Sequence, residues 1–112
     1  MDLRLRYART FGERLIGASG SSLGAGEGLV FLSCRCIQTL TMHRPIDVLF
    51  MDASGCIVRI CHHLPPWRIR YCADATSVIE LPAGFAAAQG VRLEQVVRLA
   101  LTQLVQHHAQ KC

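Results

Sequence analysis

Hydrophobic and polar positions alternate with period two at the start of the chain. Leu3, Leu5 and Tyr7 share one face and Asp2, Arg4 and Arg6 the other, the pattern of a strand with one wet side. Thr10-Phe11-Gly12-Glu13 fits a capping box and predicts a short helix to about Ala18. Ser19–Gly28 is a Ser/Gly-rich loop, followed by predicted strands at Leu29–Cys34 and Ile37–Met42. The run Ile46–Met51 is apolar on both faces, with Ile46, Val48 and Phe50 pointing one way and Leu49 and Met51 the other. Such a strand is central and covered twice, or wrapped into a barrel. Asp52-Ala53-Ser54-Gly55 predicts a tight reversal, and Cys56–Cys61 the returning strand.

Leu64-Pro65-Pro66-Trp67 interrupts regular pairing, because proline has no N–H to donate. A further strand is expected at Thr76–Leu81, then a helix opened by Pro82 and capped at Gly90. From Arg92 the period changes. Leu93, Val96, Val97, Ala100, Leu101, Leu104 and His108 recur at three- and four-residue steps, an amphipathic helix whose apolar stripe must cover the domain's own sheet or a second copy.

At 112 residues, half of them hydrophobic, the chain is expected to be one packed domain, 1–112, with 92–111 as a helical C-terminal extension. The formal charge of +4 comes from eleven arginines and one lysine against eight acids, and the arginines are scattered along the sequence. Nucleic-acid binding usually shows a clustered basic face, so no nucleic-acid partner is expected, although folding can still gather arginines into a patch. The alternating N-terminus offers no signal-peptide core and no run is long and apolar enough to span a bilayer, so a cytoplasmic, non-membrane protein is the expectation. In a reducing compartment the six cysteines are read as thiols, with Cys56, Cys61 and Cys72 as small buried hydrophobes.

Several of these segments together resemble the bacterial and archaeal family called domain of unknown function 192, or uncharacterised protein family 0127. The shared features run from Ala8-Arg9-Thr10 through Gly26-Glu27-Gly28-Leu29, Met42 with Pro45-Ile46-Asp47, Asp52 to Gly55, and Pro66-Trp67. They end in Glu80-Leu81-Pro82-Ala83-Gly84 and Gly90, and cover some four-fifths of the chain in order. The resemblance implies a small, mainly β domain with no established activity. By the same resemblance some relatives carry a histidine where this chain has Gln38, and a glycine-rich turn and final strand are usual where it has its last helix.

Candidate chemistry is sparse. Asp47, an acid at the mouth of an apolar strand, can bind a ligand, but such acids more often accept hydrogen bonds from loop N–H groups. Glu80 carries the same two readings, and the two acids would form an acid–base pair only at a suitable separation. Trp67 is either an exposed platform or, as is commoner for tryptophan, a plug over one end of the sheet. Gln38 and Met42 complete the ligand- or partner-binding set, Met42 as a core residue first. Cys34 and Cys36 fall on one face of an extended segment about 6–7 Å apart, and Cys61 and His63 share a face if extended. These four are weak candidates for a zinc site, lacking the usual knuckle spacing. No cofactor and no catalytic residue is assigned.

The sequence thus predicts an α+β fold: a small, curved, mostly antiparallel β-sheet or barrel with a short N-terminal helix and a C-terminal helix. The expected role is a non-enzymatic binding or accessory module for a small molecule or protein, using a cleft near Asp47, Trp67 and Glu80. Alternatives are a small hydrolase or metal-dependent enzyme using Cys and His, and an interaction protein that forms a homodimer through the C-terminal helix.

Overall fold

Alternation and turn chemistry set the strands of the computed structural model, which describes residues 3–8, 23–40 and 42–110. In chain order these are β1 (Arg4–Tyr7), β2 (Glu27–Leu32), β3 (Cys36–Gln38), β4 (Ile46–Met51), β5 (Ile57–Leu64), β6 (Ile69–Tyr71) and β7 (Ser77–Pro82). Helices α1 (Phe85–Gln89) and α2 (Leu93–Gln110) follow, joined by a single 3-10 turn. The expected helix from Thr10 to Ala18 lies outside the described residues.

Five strands form one sheet in the order β1-β2-β7-β4-β5, antiparallel except for the parallel β1–β2 pair, while β3 and β6 form a separate antiparallel ribbon. Of the two expected forms, sheet or barrel, the sheet holds and the barrel does not: β1 and β5 end the sheet at opposite edges and do not pair. Burial of both faces is achieved by layering instead. On one face Leu5, Val30, Leu49, Met51, Ile79 and Leu81 pack against Phe85, Leu93, Val97 and Ala100 of the helices. On the other, Leu29, Phe31, Val48, Phe50 and Val78 pack against Ile37 of the ribbon and against Met42, Leu64 and Ala75. Every residue of β4 is buried, as its two-sided apolar pattern requires.

The β4–β5 hairpin closes as its turn residues dictate. The Gly55 N–H donates to the Asp52 carbonyl (3.1 Å), and Gly55 takes a left-handed φ of 84°, the three-residue loop of a type I turn plus glycine bulge. One Asp52 carboxylate oxygen accepts the N–H groups of Cys56 (2.9 Å) and Ser54 (3.0 Å) and the Ser54 hydroxyl (2.8 Å). Those donors, Cys56 foremost and then the Ser54 hydroxyl, hold this carboxyl below its usual range.

Gly28 has a different reason to be glycine. A Cβ there would lie 2.6 Å from Leu5 Cδ2 and 2.7 Å from Leu81 Cδ2, so β1 and β7 close over a position with no room for a side chain. Pro82 ends β7 opposite Ile46 instead of opening a helix, and α1 starts three residues later at Phe85. Gly90 does close α1, donating its N–H to the Ala86 carbonyl. The stripe of α2 is spent on the chain's own sheet: Leu93, Val97 and Ala100 are buried, with Val96, Leu101 and Leu104 packed beside them. No helix among the described residues is long and apolar enough to cross a membrane.

Candidate functional site

Asp47 is fully buried, and its carboxylate is engaged by backbone. Oδ1 accepts the His63 N–H (2.8 Å), and Oδ2 accepts those of Gly84 (3.1 Å) and Ala86 (2.9 Å). The bond from Ala86 satisfies a first-turn donor of α1 that has no partner within the helix. The bond from His63 secures a bulge, since Ile46 pairs with Leu64 and Val48 with Cys61, leaving His62 and His63 together opposite Asp47. His63 sits there with φ 48°, a conformation disfavoured without such a tether. Asp47 thus ties β4, β5 and α1 together, the commoner of its two expected roles.

Glu80 is also buried, yet it belongs to the other side of the sheet. Its neighbours across the strands are Val48 and Leu29, both in the core beneath the ribbon. Asp47 and Glu80 therefore face opposite sides of the sheet and do not form an acid–base pair. Met42 is buried in that same core. The Gln38 side-chain oxygen accepts the Leu40 N–H (2.6 Å), which tightens the end of β3.

The thiols and His63 do not come together. Cys34 is half-buried against the core with its thiol donating to the Cys36 carbonyl (3.1 Å), whereas Cys36 is exposed. Cys61 packs half-buried on the ribbon-side core. The bulge turns His63 away from Cys61, and His63 Nε2 comes within 3.7 Å of where a Cβ on Gly84 would stand. Among the described residues no three His, Cys, Asp or Glu side chains are grouped to hold a metal ion. Cys56, Cys61 and Cys72 are half-buried rather than enclosed.

Trp67 corrects another expectation. It is 70% exposed and does not plug the sheet. Its backbone is left-handed, with φ 67°, and the residue beneath it is Thr39, a fully buried hydroxyl that sequence reading passed over. Thr39 Oγ1 donates to the Pro65 carbonyl (2.7 Å) and accepts the Arg68 N–H (2.9 Å). The Thr39 carbonyl accepts the Trp67 N–H (3.0 Å), and the Thr39 N–H donates to the Arg68 carbonyl (2.8 Å). Four bonds from one residue hold the Pro65–Arg68 loop while the indole points outward.

The outer face of the ribbon continues from there. Cys36 stands opposite Tyr71 and Gln38 opposite Ile69, and directly opposed side chains share a face. Ile69 and Tyr71 are each 58% exposed, and Leu40 is exposed beside the ribbon's end. Ile69 and Tyr71 thus share the outer face of a ribbon whose inner face, through Ile37, is anchored in the core, and the exposed Trp67 lies two residues before them. Sequence reading missed Ile69 and Tyr71; their alternation with Arg68 and Arg70 was the available signal, over a strand only three residues long.

Over residues 1–99 the chain matches the model of DUF192, described as "Uncharacterized ACR", and it belongs to that family. A crystal structure of a protein of unknown function from Novosphingobium aromaticivorans DSM 12444 superposes with a TM-score of 0.65 at 23% identity, covering 80% of this chain and 69% of that one. A putative transcription regulator from Sinorhizobium meliloti 1021 superposes with a TM-score of 0.69, also at 23% identity, over 80% of this chain and 75% of that one. Both are similar in fold. No curated protein matches the chain.

Proposed function

We propose that this protein is a non-enzymatic binding module whose contact surface is the outer face of the β3–β6 ribbon, centred on Trp67, Ile69 and Tyr71. The observation that carries the reading is Trp67 itself. A large aromatic is held out in water, on a left-handed backbone, by the hydrogen bonds of the buried Thr39. Non-glycine residues in that conformation cost about 1–3 kcal/mol and cluster where structure serves binding. Exposed apolar side chains gathered on one face are the ordinary mark of an interaction surface.

The enzymatic alternative draws less support, because the cysteines and His63 are dispersed between a core, a surface and a bulge. The homodimer alternative loses its main argument once the α2 stripe is used internally. Leu99 and Val105, the exposed apolar residues of that helix, are six positions apart and fall on different faces at 3.6 residues per turn.

Selection from a random peptide display library against the folded chain tests the reading. Peptides recovered on the wild type should lose affinity with Trp67→Ala while circular dichroism and melting temperature stay unchanged. Peptides that bind the variant equally well would place the contact surface elsewhere.

A further inference from the structure

We infer that the partner of this surface is an acidic polypeptide segment carrying apolar side chains. It would lay those side chains across Trp67, Ile69 and Tyr71 and its carboxylates on Arg59, Arg68 and Arg70. The inference rests on the binding reading above and names the chemistry of the occupant.

Three guanidinium groups bond to backbone carbonyls of this segment, that of Arg70 reaching the Ile69 carbonyl from the inner face, where Arg70 stands opposite Ile37. Arg68 Nη1 donates to the carbonyls of Pro66 (3.4 Å) and Trp67 (3.2 Å), Arg70 Nη1 to that of Ile69 (2.8 Å), and Arg59 Nη1 to that of Tyr71 (3.1 Å). Each exposed apolar residue of the segment thus has a positive charge fixed at its own backbone. Arg59 comes from β5, so the sheet and the ribbon both contribute. A guanidinium presents five N–H donors in a planar fork suited to a carboxylate, and each of these contacts engages a single nitrogen.

The surrounding sequence supplies one acid only. No acid occurs between residues 28 and 46, and Asp74 is the sole acid from 53 to 79. Asp74 lies in the turn whose Ala75 carbonyl accepts Arg35 Nε (3.1 Å). Among the described residues the ion pairs are Arg4–Glu27 and Arg98–Glu94, and neither touches this surface. Charge complementarity therefore asks for an acidic occupant.

The mode of docking is also constrained. The bonds Thr39 N–H to Arg68 carbonyl and Cys72 N–H to Arg35 carbonyl turn the alternate residues Ile69 and Tyr71 toward the outer edge of β6. Their carbonyls are the ones capped by Arg70 and Arg59, so an added strand would find its acceptors taken. Contact through side chains is favoured. Between a protein segment and single-stranded nucleic acid, the aliphatic residues decide. In the chain Ile69 stands between the two aromatics, and it offers no plane for base stacking, whereas Trp, Tyr and Arg around aliphatic contacts is the composition of protein hot spots.

The test uses the full chain and the peptides recovered from the random library, with oligo(dT) and anionic phospholipid vesicles as competing probes. Emission from Trp67, the sole tryptophan, and peptide anisotropy report binding. Recovered peptides should combine Asp or Glu with Leu or Phe, and their affinity should fall as salt is raised. It should drop about 30-fold with Trp67→Ala, and about tenfold with Arg68→Glu or Arg70→Glu, two variants made separately so that one misfolded protein does not decide the matter. Neutral or basic peptides that still depend on Trp67 would overturn the acidic partner and leave the binding surface standing. Peptides indifferent to Trp67, or none recovered, would overturn both. Oligo(dT) or vesicles binding with the same Trp67 and arginine dependence, where acidic peptides do not, would overturn the class of partner.

Discussion

Asp47 and Glu80 stand one register step apart on adjacent strands and face opposite sides of the sheet. Leu81 is opposite Asp47, and Val48 is opposite Glu80. Opposed residues share a face and successive residues alternate. Asp47 thus lies on the side of Leu49 and Met51, where its carboxylate meets the start of α1, and Glu80 on the side of Val48 and Val78. The sheet separates two acids that look like partners in the sequence.

Asp47→Ala should cost roughly 3 kcal/mol or more, because it strands three N–H groups at a buried site at about 1–3 kcal/mol each. Asp47→Asn should also destabilise, since its amide would oppose one set of donors with donors of its own. Urea midpoints measure both, and a loss below about 1 kcal/mol for the alanine variant would show that the clamp does not hold the fold.

Gly28→Ala should destabilise by about 1–3 kcal/mol through overpacking against Leu5 and Leu81. Pairing it with Leu81→Ala should recover part of the loss relative to the sum of the single changes. Additive costs in the double-mutant cycle would show that the two positions do not compete for one space.

Thr39→Val keeps shape and removes the hydroxyl, leaving the Pro65 carbonyl and the Arg68 N–H without their partner. A loss of about 1–3 kcal/mol is expected, together with faster depolarisation of Trp67 emission as the loop loosens. Unaltered anisotropy would mean that the indole is held by something other than Thr39.

The Asp52 carboxyl is lowered in the folded state by the N–H of Cys56 and the hydroxyl of Ser54. With a folded pKa below the unfolded one, its contribution is present above the unfolded value and is lost as pH falls through the folded value. Asp52→Ala should therefore be less stable than wild type at neutral pH, with the gap narrowing as the solution is acidified below the ordinary carboxylate range. Melting temperatures of the two proteins across that range provide the check; a constant gap would assign the effect to something other than ionisation.

Much of the fold was legible because its causes are local. The left-handed glycine and the Asx-type acceptor that make the 52–55 reversal are adjacent in sequence, and so are the six residues that bury both faces of β4. The stripe of α2 could be read off its period, although whether it covered the sheet or a second copy could not. The sequence leaves the choice between open sheet and barrel undecided and misreads the indole plug for one reason: each depends on where a distant segment lies. A ribbon of β3 and β6 covers the second face, and a threonine 28 positions before Trp67 sets that residue's direction.

Periodicity and turn chemistry, which act over a few residues, were enough to read β1, β4, the 52–55 reversal and the long C-terminal helix, and to require that the central strand be enclosed, but not the three-residue strand β6 or the role of Pro82. Only the tertiary structure decided that Asp47 and Glu80 part company and that Arg59 joins Arg68 and Arg70 around Trp67, Ile69 and Tyr71. Strand order and register fix those relations, and they arise from burial summed over the whole chain rather than from any one stretch of it.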